Sequence, residues 1–291
     1  MITAALVKEL RERTGVGMME CKKALTEASG DLDLAIDNLR KAGQLKAAKK
    51  SGRVAAEGML ACAISSDLHE AVMVEVNCET DFASRNADFI AFADYVAKVA
   101  LAERVSSVDE LYQVIVDGRT INEAKDNLIA KIGENIGIRR VAYCKDGAAS
   151  FFSYVHGNSK IGALVALKGG NSELGRDLAM HIVAMKPLAL DERSLPADLV
   201  AKEREIALAQ LSGMNKPQAV LDKIVAGKLS KFASENSLLG QSFIKNSELT
   251  IAELLKQQRA TIESFIRYEV GEGVVREVKD FASEVEELAK H

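Results

Sequence analysis

Val72-Met73-Val74-Glu75-Val76-Asn77-Cys78-Glu79-Thr80-Asp81-Phe82 decides how this chain is read, because a period of two governs its first seven residues and fails in the last four. Val72, Val74, Val76 and Cys78 alternate with Met73, Glu75 and Asn77, the pattern of a β-strand with an apolar face. Beyond Cys78 the alternation stops and an acid stands beside a bulky aromatic. Two fates fit that sequence equally well. Either Thr80 or Asp81 caps a turn before the next helix and Phe82 folds back into the core, or the loop displays Phe82 to a partner.

Reading outward from this strand, Met59 to Ile64 forms an apolar run that joins it through the polar turn Ser65-Ser66-Asp67. On the other side, Phe89, Phe92, Val96 and Val99 recur at helical spacing. A similar order returns later: Phe151 to Val155, a turn at His156-Gly157-Asn158, Ile161 to Leu167, then a helix capped by Ser172 with Leu174, Leu178, Ile182 and Met185 in register. This reads as a degenerate duplication of a strand-strand-helix unit. A helical region from about Val108 to Ile132 and a strand from Ile136 to Tyr143 lie between the copies. The last part reads as a helix near Ile251 to Arg259, a strand from Phe265 to Val270 and an acidic helix from about Lys279. The fold class is therefore α+β.

The first 43 residues follow a different rule. Leu6, Val7 and Leu10 mark one helix ending at Thr14-Gly15, Met18 to Ser29 a second stopped by Gly30, and Asp31 caps a third carrying Leu32, Ala35, Ile36 and Leu39. Gln44 to Glu57, polar and rich in Lys and Ala, reads as a linker. The three prolines, Pro187, Pro196 and Pro217, frame another helical stretch. Leu199 and Ile206 mark one helix and Leu221, Ile224 and Val225 a second, joined at Gly213-Met214-Asn215-Lys216-Pro217. This hairpin either packs on the sheet or protrudes as an arm that associates with another chain, a second copy included.

Composition narrows the function. With 291 residues, 48% of them hydrophobic, the chain supports more than one core. No run of about 18 apolar residues exists and the first ten residues lack the pattern of a signal peptide, so a cytoplasmic protein without membrane contact is expected. Cys21, Cys62, Cys78 and Cys144 have neither zinc-ligand nor disulfide spacing and are expected to be buried or half-buried thiols. His69, His156, His181 and His291 are isolated, and neither GxxxxGK[ST] nor GxGxxG occurs. No cofactor, metal or covalent chemistry is expected. Cys78 lacks an identifiable base, which weighs against a hydrolase.

Net charge is −4, yet residues 1–53 hold eleven Lys/Arg against seven Asp/Glu. Lys46, Lys49, Lys50 and Arg53 form a basic cluster without interleaved aromatics, so a solvated helix face is favoured over a nucleic-acid surface. An RNA- or ribosome-binding module built on this basic part is the alternative reading of the whole chain.

A second segment bears on the loop. Leu10-Arg11-Glu12-Arg13-Thr14-Gly15-Val16-Gly17-Met18-Met19-Glu20-Cys21-Lys22-Lys23-Ala24-Leu25 and the stretch Glu75 to Phe82 together closely resemble the two signature segments of the bacterial elongation factor Ts family, the guanine-nucleotide exchange factors of elongation factor Tu. The resemblance runs nearly end to end. It implies a bundle similar to the ubiquitin-associated domain with its linker at 1–54 and a core N-subdomain at 55–140. It further implies a core C-subdomain at 141–186 and 230–270, an inserted helical hairpin at 187–229 and a C-terminal helical module at 271–291. It implies elongation factor Tu as partner, GDP-bound and nucleotide-free, with Mg²⁺ displaced and GDP released so that GTP can bind. By the same resemblance Thr80, Asp81, Phe82 and Ala83 form the loop that intrudes beside the partner's Mg²⁺ site. Arg11, Met18, Met19 and Lys22 anchor on the partner's nucleotide domain, and His156, Phe243 and Ile244 approach it elsewhere. Ala83 departs from the family's usual valine and is expected to reduce apolar area at the loop edge.

Overall fold

The computed structural model describes residues 2–212 and 217–274. Three helices open the chain, α1 (Ala4–Thr14), α2 (Met18–Glu27) and α3 (Leu32–Lys50). The Thr3 hydroxyl accepts the Leu6 N–H at the start of α1, and Gly15, at φ 69°, ends it in the left-handed region that glycine enters without strain. Val7, Leu10, Cys21, Leu25 and Ala35 meet in a small core.

The first half of the expected linker is helix. Asp31 caps α3 as anticipated, but the helix continues through Gln44 to Lys50 because Ala42, Ala47 and Ala48 are strong helix formers and no proline intervenes. Ala47 is buried in the core of the next unit.

That unit comprises β1 (Glu57–Ile64), β2 (Glu70–Cys78), α4 (Asp81–Ser84), α5 (Ala87–Ala102), α6 (Val108–Gln113), β3 (Ile115–Val116), β4 (Arg119–Thr120), α7 (Ile121–Ile132) and β5 (Gly137–Lys145). The second runs through β6 (Ser150–Val155), β7 (Ile161–Lys168), α8 (Ser172–Met185), α9 (Ala197–Leu211), α10 (Gln218–Asn236), β8 (Ser242–Phe243), β9 (Asn246–Thr250), α11 (Ile251–Gln257) and β10 (Thr261–Glu269). The sheets are antiparallel, ordered β1-β2-β5 and β6-β7-β10. Each half thus places its middle strand between its first and its last, with a long crossover carrying the helices.

The layers run helix, sheet, sheet, helix. Val72, Val74 and Val76 of β2 pack against Phe89, Ala93 and Val96 of α5, and Ala163, Val165 and Leu167 of β7 against Leu178 and Ile182 of α8. Leu60, Ala71 and Met73 meet Phe151, Leu164 and Ala166 between the two sheets. The alternate residues of β2 are therefore not a solvated face. Glu75 and Asn77 are buried with the rest, and Glu75 lies 3.1 Å from Arg139 and 2.8 Å from the Gly271 N–H, with Arg140 also paired to it. A carboxylate so deeply buried requires such partners.

Other expectations shift by a turn or a face. Asn171, not Ser172, caps α8 by accepting the Leu174 N–H at 2.8 Å. Met185 is exposed because Lys186, at φ 47°, ends the helix there. In the arm, Ile206 points outward and the seam is made by Ala207, Leu211 and Val225 with Leu221, Ile224 and Leu229. That seam is a cluster of its own, and α10 extends past Leu229 to Asn236. The region 108–132 is not wholly helical. Asp117 and Gly118, at φ 51° and 75°, turn a two-residue hairpin between α6 and α7. The Gly213-Met214-Asn215-Lys216 joint and the acidic helix from Lys279, with most of the 271–291 module, lie outside the described residues. No helix among the described residues is long and apolar enough to cross a membrane.

Candidate functional site

Because β2 ends at a buried Cys78, the chain leaves the sheet at Glu79 facing the start of β5, and the next residues are pinned on several sides. One Glu134 oxygen accepts the Glu79 and Thr80 N–H groups at 3.0 and 2.9 Å, and the other accepts the Thr80 hydroxyl at 2.6 Å. The Thr80 hydroxyl oxygen in turn accepts the Ala83 N–H at 3.2 Å, capping α4. Beneath it, the Cys78 thiol donates to the Thr80 carbonyl at 3.2 Å.

On this pedestal Phe82 stands 81% exposed. Both earlier fates were half right: Thr80 caps the turn, and Phe82 does not return to the core. Leaving such a ring in water forgoes roughly 1.5–3 kcal/mol of burial. Asp81 pairs with Arg85 one turn on, at 2.8 Å. Ala83 points inward and is buried in the first half's core, so its small size is a matter of this chain's own packing and takes nothing from the exposed edge.

The Cys78 thiol is fully buried. Burial, reinforced by the Glu134 and Glu57 carboxylates, pushes its thiol up to about 12. Among the described residues no three His, Cys, Asp or Glu side chains group as a metal would need.

A second surface lies on the bundle. Met18 and Met19 open α2 and are 55% and 76% exposed, and Arg11 on α1 and Lys22 on α2 are exposed as well. The bundle core is filled by Cys21, Ala24 and Leu25 instead, one helical face along. Flexible, polarizable methionines on a surface suit a protein contact. The basic cluster behind them is largely occupied: Lys46 pairs with Glu20, Lys50 with the Gly133 carbonyl, and Arg53 lies 3.5 Å from Glu79.

The third group sits on the second half. His156 is exposed on the β6–β7 turn, its Nδ1 3.3 Å from the Tyr154 hydroxyl. Ile244 is exposed at the tip of the β8–β9 hairpin, whereas Phe243 is buried and packs 6.1 Å from the His181 ring. His181 is a satisfied core histidine. Its Nδ1 accepts the Ile244 N–H at 3.3 Å and its Nε2 faces Gln241 Oε1 at 3.0 Å, and burial lowers its pKa. Tyr154, Asp177 and Lys245 line an open groove between the two tips.

Sequence reasoning missed Glu134, whose partners lie more than fifty positions away. It also missed the short β8–β9 hairpin that orients Phe243 and Ile244 oppositely.

Residues 79–272 match the family model described as elongation factor TS. Curated relatives named elongation factor Ts are similar over nearly the whole chain. That of Methylococcus capsulatus is 50% identical over 98% of this chain and 97% of its own length. Those of Photorhabdus laumondii and Thioalkalivibrio sulfidiphilus are 49% and 45% identical, each over 99% of both chains.

Proposed function

The chain belongs to the elongation factor Ts family, whose members exchange the nucleotide of elongation factor Tu in translation elongation, and from that premise we propose how its own surfaces perform the exchange. Phe82 enters the partner beside its Mg²⁺ site and Asp81 acts as the polar member, so that Mg²⁺ is displaced and GDP leaves. Met18, Met19, Arg11 and Lys22 hold the partner's nucleotide domain. His156 and Ile244 make a further contact on the second half, with Phe243 supporting Ile244 from within the core. The observation that carries this reading is the exposed Phe82 two residues beyond Thr80, which is bonded through its N–H, carbonyl and hydroxyl.

The energetics require both parts. A thousandfold faster release lowers the barrier by about 4 kcal/mol, whereas burying one phenylalanine contributes roughly 1.5–3. A GTPase holds GDP through phosphate-loop amides, a lysine and Mg²⁺, and only preferential binding to the emptied form weakens that hold. The anchor supplies binding energy, and the loop converts part of it into distortion.

The test is a titration of this protein into elongation factor Tu loaded with a fluorescent GDP analogue, with GDP and Mg²⁺ in excess. Phe82→Ala is expected to lower the maximal release rate about tenfold or more. Met18→Ala with Met19→Ala should instead raise the half-saturating concentration. An unchanged maximal rate in Phe82→Ala removes the wedge.

A further inference from the structure

The tripeptide Gly133-Glu134-Asn135, between α7 and β5, is bonded to both functional parts of the molecule. Towards the loop, Glu134 takes the Glu79 and Thr80 amides and the Thr80 hydroxyl, and the exchange is reciprocal because Glu79 Oε1 accepts the Asn135 N–H at 2.6 Å. Towards the bundle, the Asn135 side chain donates to the Arg53 carbonyl at 2.7 Å, and Lys50 donates to the Gly133 carbonyl. Lys50 closes α3, the same helix that carries the bundle's third side and buries Ala47 in the first half's core.

Glu134 is half-buried and accepts three hydrogen bonds, all from the residues immediately before the Asp81-Phe82 pair. An ionised acceptor binding backbone N–H groups is among the stronger and more directional contacts available to a loop. Without it, the two amides at the end of β2 lose their acceptor and Thr80 loses one of the bonds that fix its hydroxyl. The turn then gains freedom at the point from which Phe82 projects.

We propose that Glu134 is the positioning residue of the exchange loop, and that the 133–135 tripeptide is the rigid link holding Phe82 at a fixed offset from the anchoring bundle. This rests on the exchange reading above. Glu134 touches no nucleotide or metal. It acts by letting binding energy gained at Met18 and Met19 reach Phe82 without being lost to motion of the loop.

The experiment is the same titration with four further variants of the full chain. Glu134→Ala is expected to lower the maximal GDP release rate about tenfold while the half-saturating concentration stays within about twofold, since the anchor is untouched. Glu134→Asp keeps the charge and the local fold but is one methylene short, and should lose rate similarly. Glu134→Gln can still accept both amides through its carbonyl and should recover most of the rate. Combined with Phe82→Ala, Glu134→Ala should add nothing further, because it acts through that ring. A role confined to stability would instead remove folded protein, raising the half-saturating concentration and leaving the maximal rate unchanged. Full rate in Glu134→Ala, or additivity in the double variant, overturns the inference. Full rate in Phe82→Ala sinks the wedge reading and this inference with it, whereas a slow Phe82→Ala beside a fast Glu134→Ala overturns the inference alone.

Discussion

After β2 the chain spends Glu79 to Asn86 before it enters α5; after β7 it spends only Gly169 to Asn171 before α8. The halves otherwise match closely, each with two hairpin strands, a helix, a crossover, a small hairpin and a capping-box helix leading to the last strand. In the second half the short joint lies backbone to backbone on the strand entry: a Cβ on Gly169 would stand 2.5 Å from the Arg259 carbonyl. In the first half the loop is held off from the corresponding entry by a side chain, that of Glu134. The extra residues carry α4 and Phe82. The comparison teaches that two joints in the same place are held differently, by close backbone approach at Gly169 and by the Glu134 carboxylate beneath the loop that displays Phe82.

The strongest way to break this comparison is an alanine at each joint. Gly169→Ala, at φ 72° and against backbone, is expected to destabilise the protein by about 2–4 kcal/mol. Glu79→Ala should cost about 1 kcal/mol. Equal shifts of the denaturant midpoint would mean that the two joints are not held differently.

A finer comparison removes one cap from each half. Asn171→Ala should cost about 1 kcal/mol of stability and leave GDP release unaffected. Thr80→Val should cost a similar amount yet slow release, because its hydroxyl also holds Glu134. Equal release rates in the two variants would blunt the distinction between structural and functional joints.

The smallest expected effect is a pH dependence confined to the second half, where His181 is buried as the neutral ring. Its folded pKa lies below the ordinary 6.5 because of burial, so the unfolded chain takes up the proton first. Stability is fully retained above 6.5 and declines as the pH falls from there towards the folded value. Its ring resonances should titrate below 6.5, and a normal midpoint would contradict the buried neutral state.

Much of the architecture was legible because it rests on local periods. Val72, Val74 and Val76, the Phe89–Val99 face of α5 and the repeated strand-strand-helix order all appear at their expected places. The β3–β4 hairpin also had a signal, Asp117-Gly118 followed by Thr120 and Glu123 of a capping box, which the surrounding helical spacing obscured. Glu75 and Asn77 were read by alternation alone, and alternation does not say that another sheet covers the polar face. The outward Phe82 and the inward Ala83 are neighbours whose directions are set by the Thr80 cap and by Glu134, a contact across 54 positions. No local pattern contains that.

Glu75 links this architecture to the way the molecule comes apart. Its carboxylate is fully buried between the sheets and holds Arg139 and Arg140 of its own half together with the Gly271 amide that follows β10 of the other. The Arg140 guanidinium also lies 3.8 Å over the Tyr268 ring and donates to the Glu269 carbonyl at 2.9 Å. If either half opened alone, Glu75 and Arg140 would lose these bonds to the other half together with the apolar contacts of Leu60 and Met73 with Phe151 and Leu164. Although each half has its own helix-covered core, the two are expected to melt in a single cooperative transition, with Glu75 making half-unfolded states scarce.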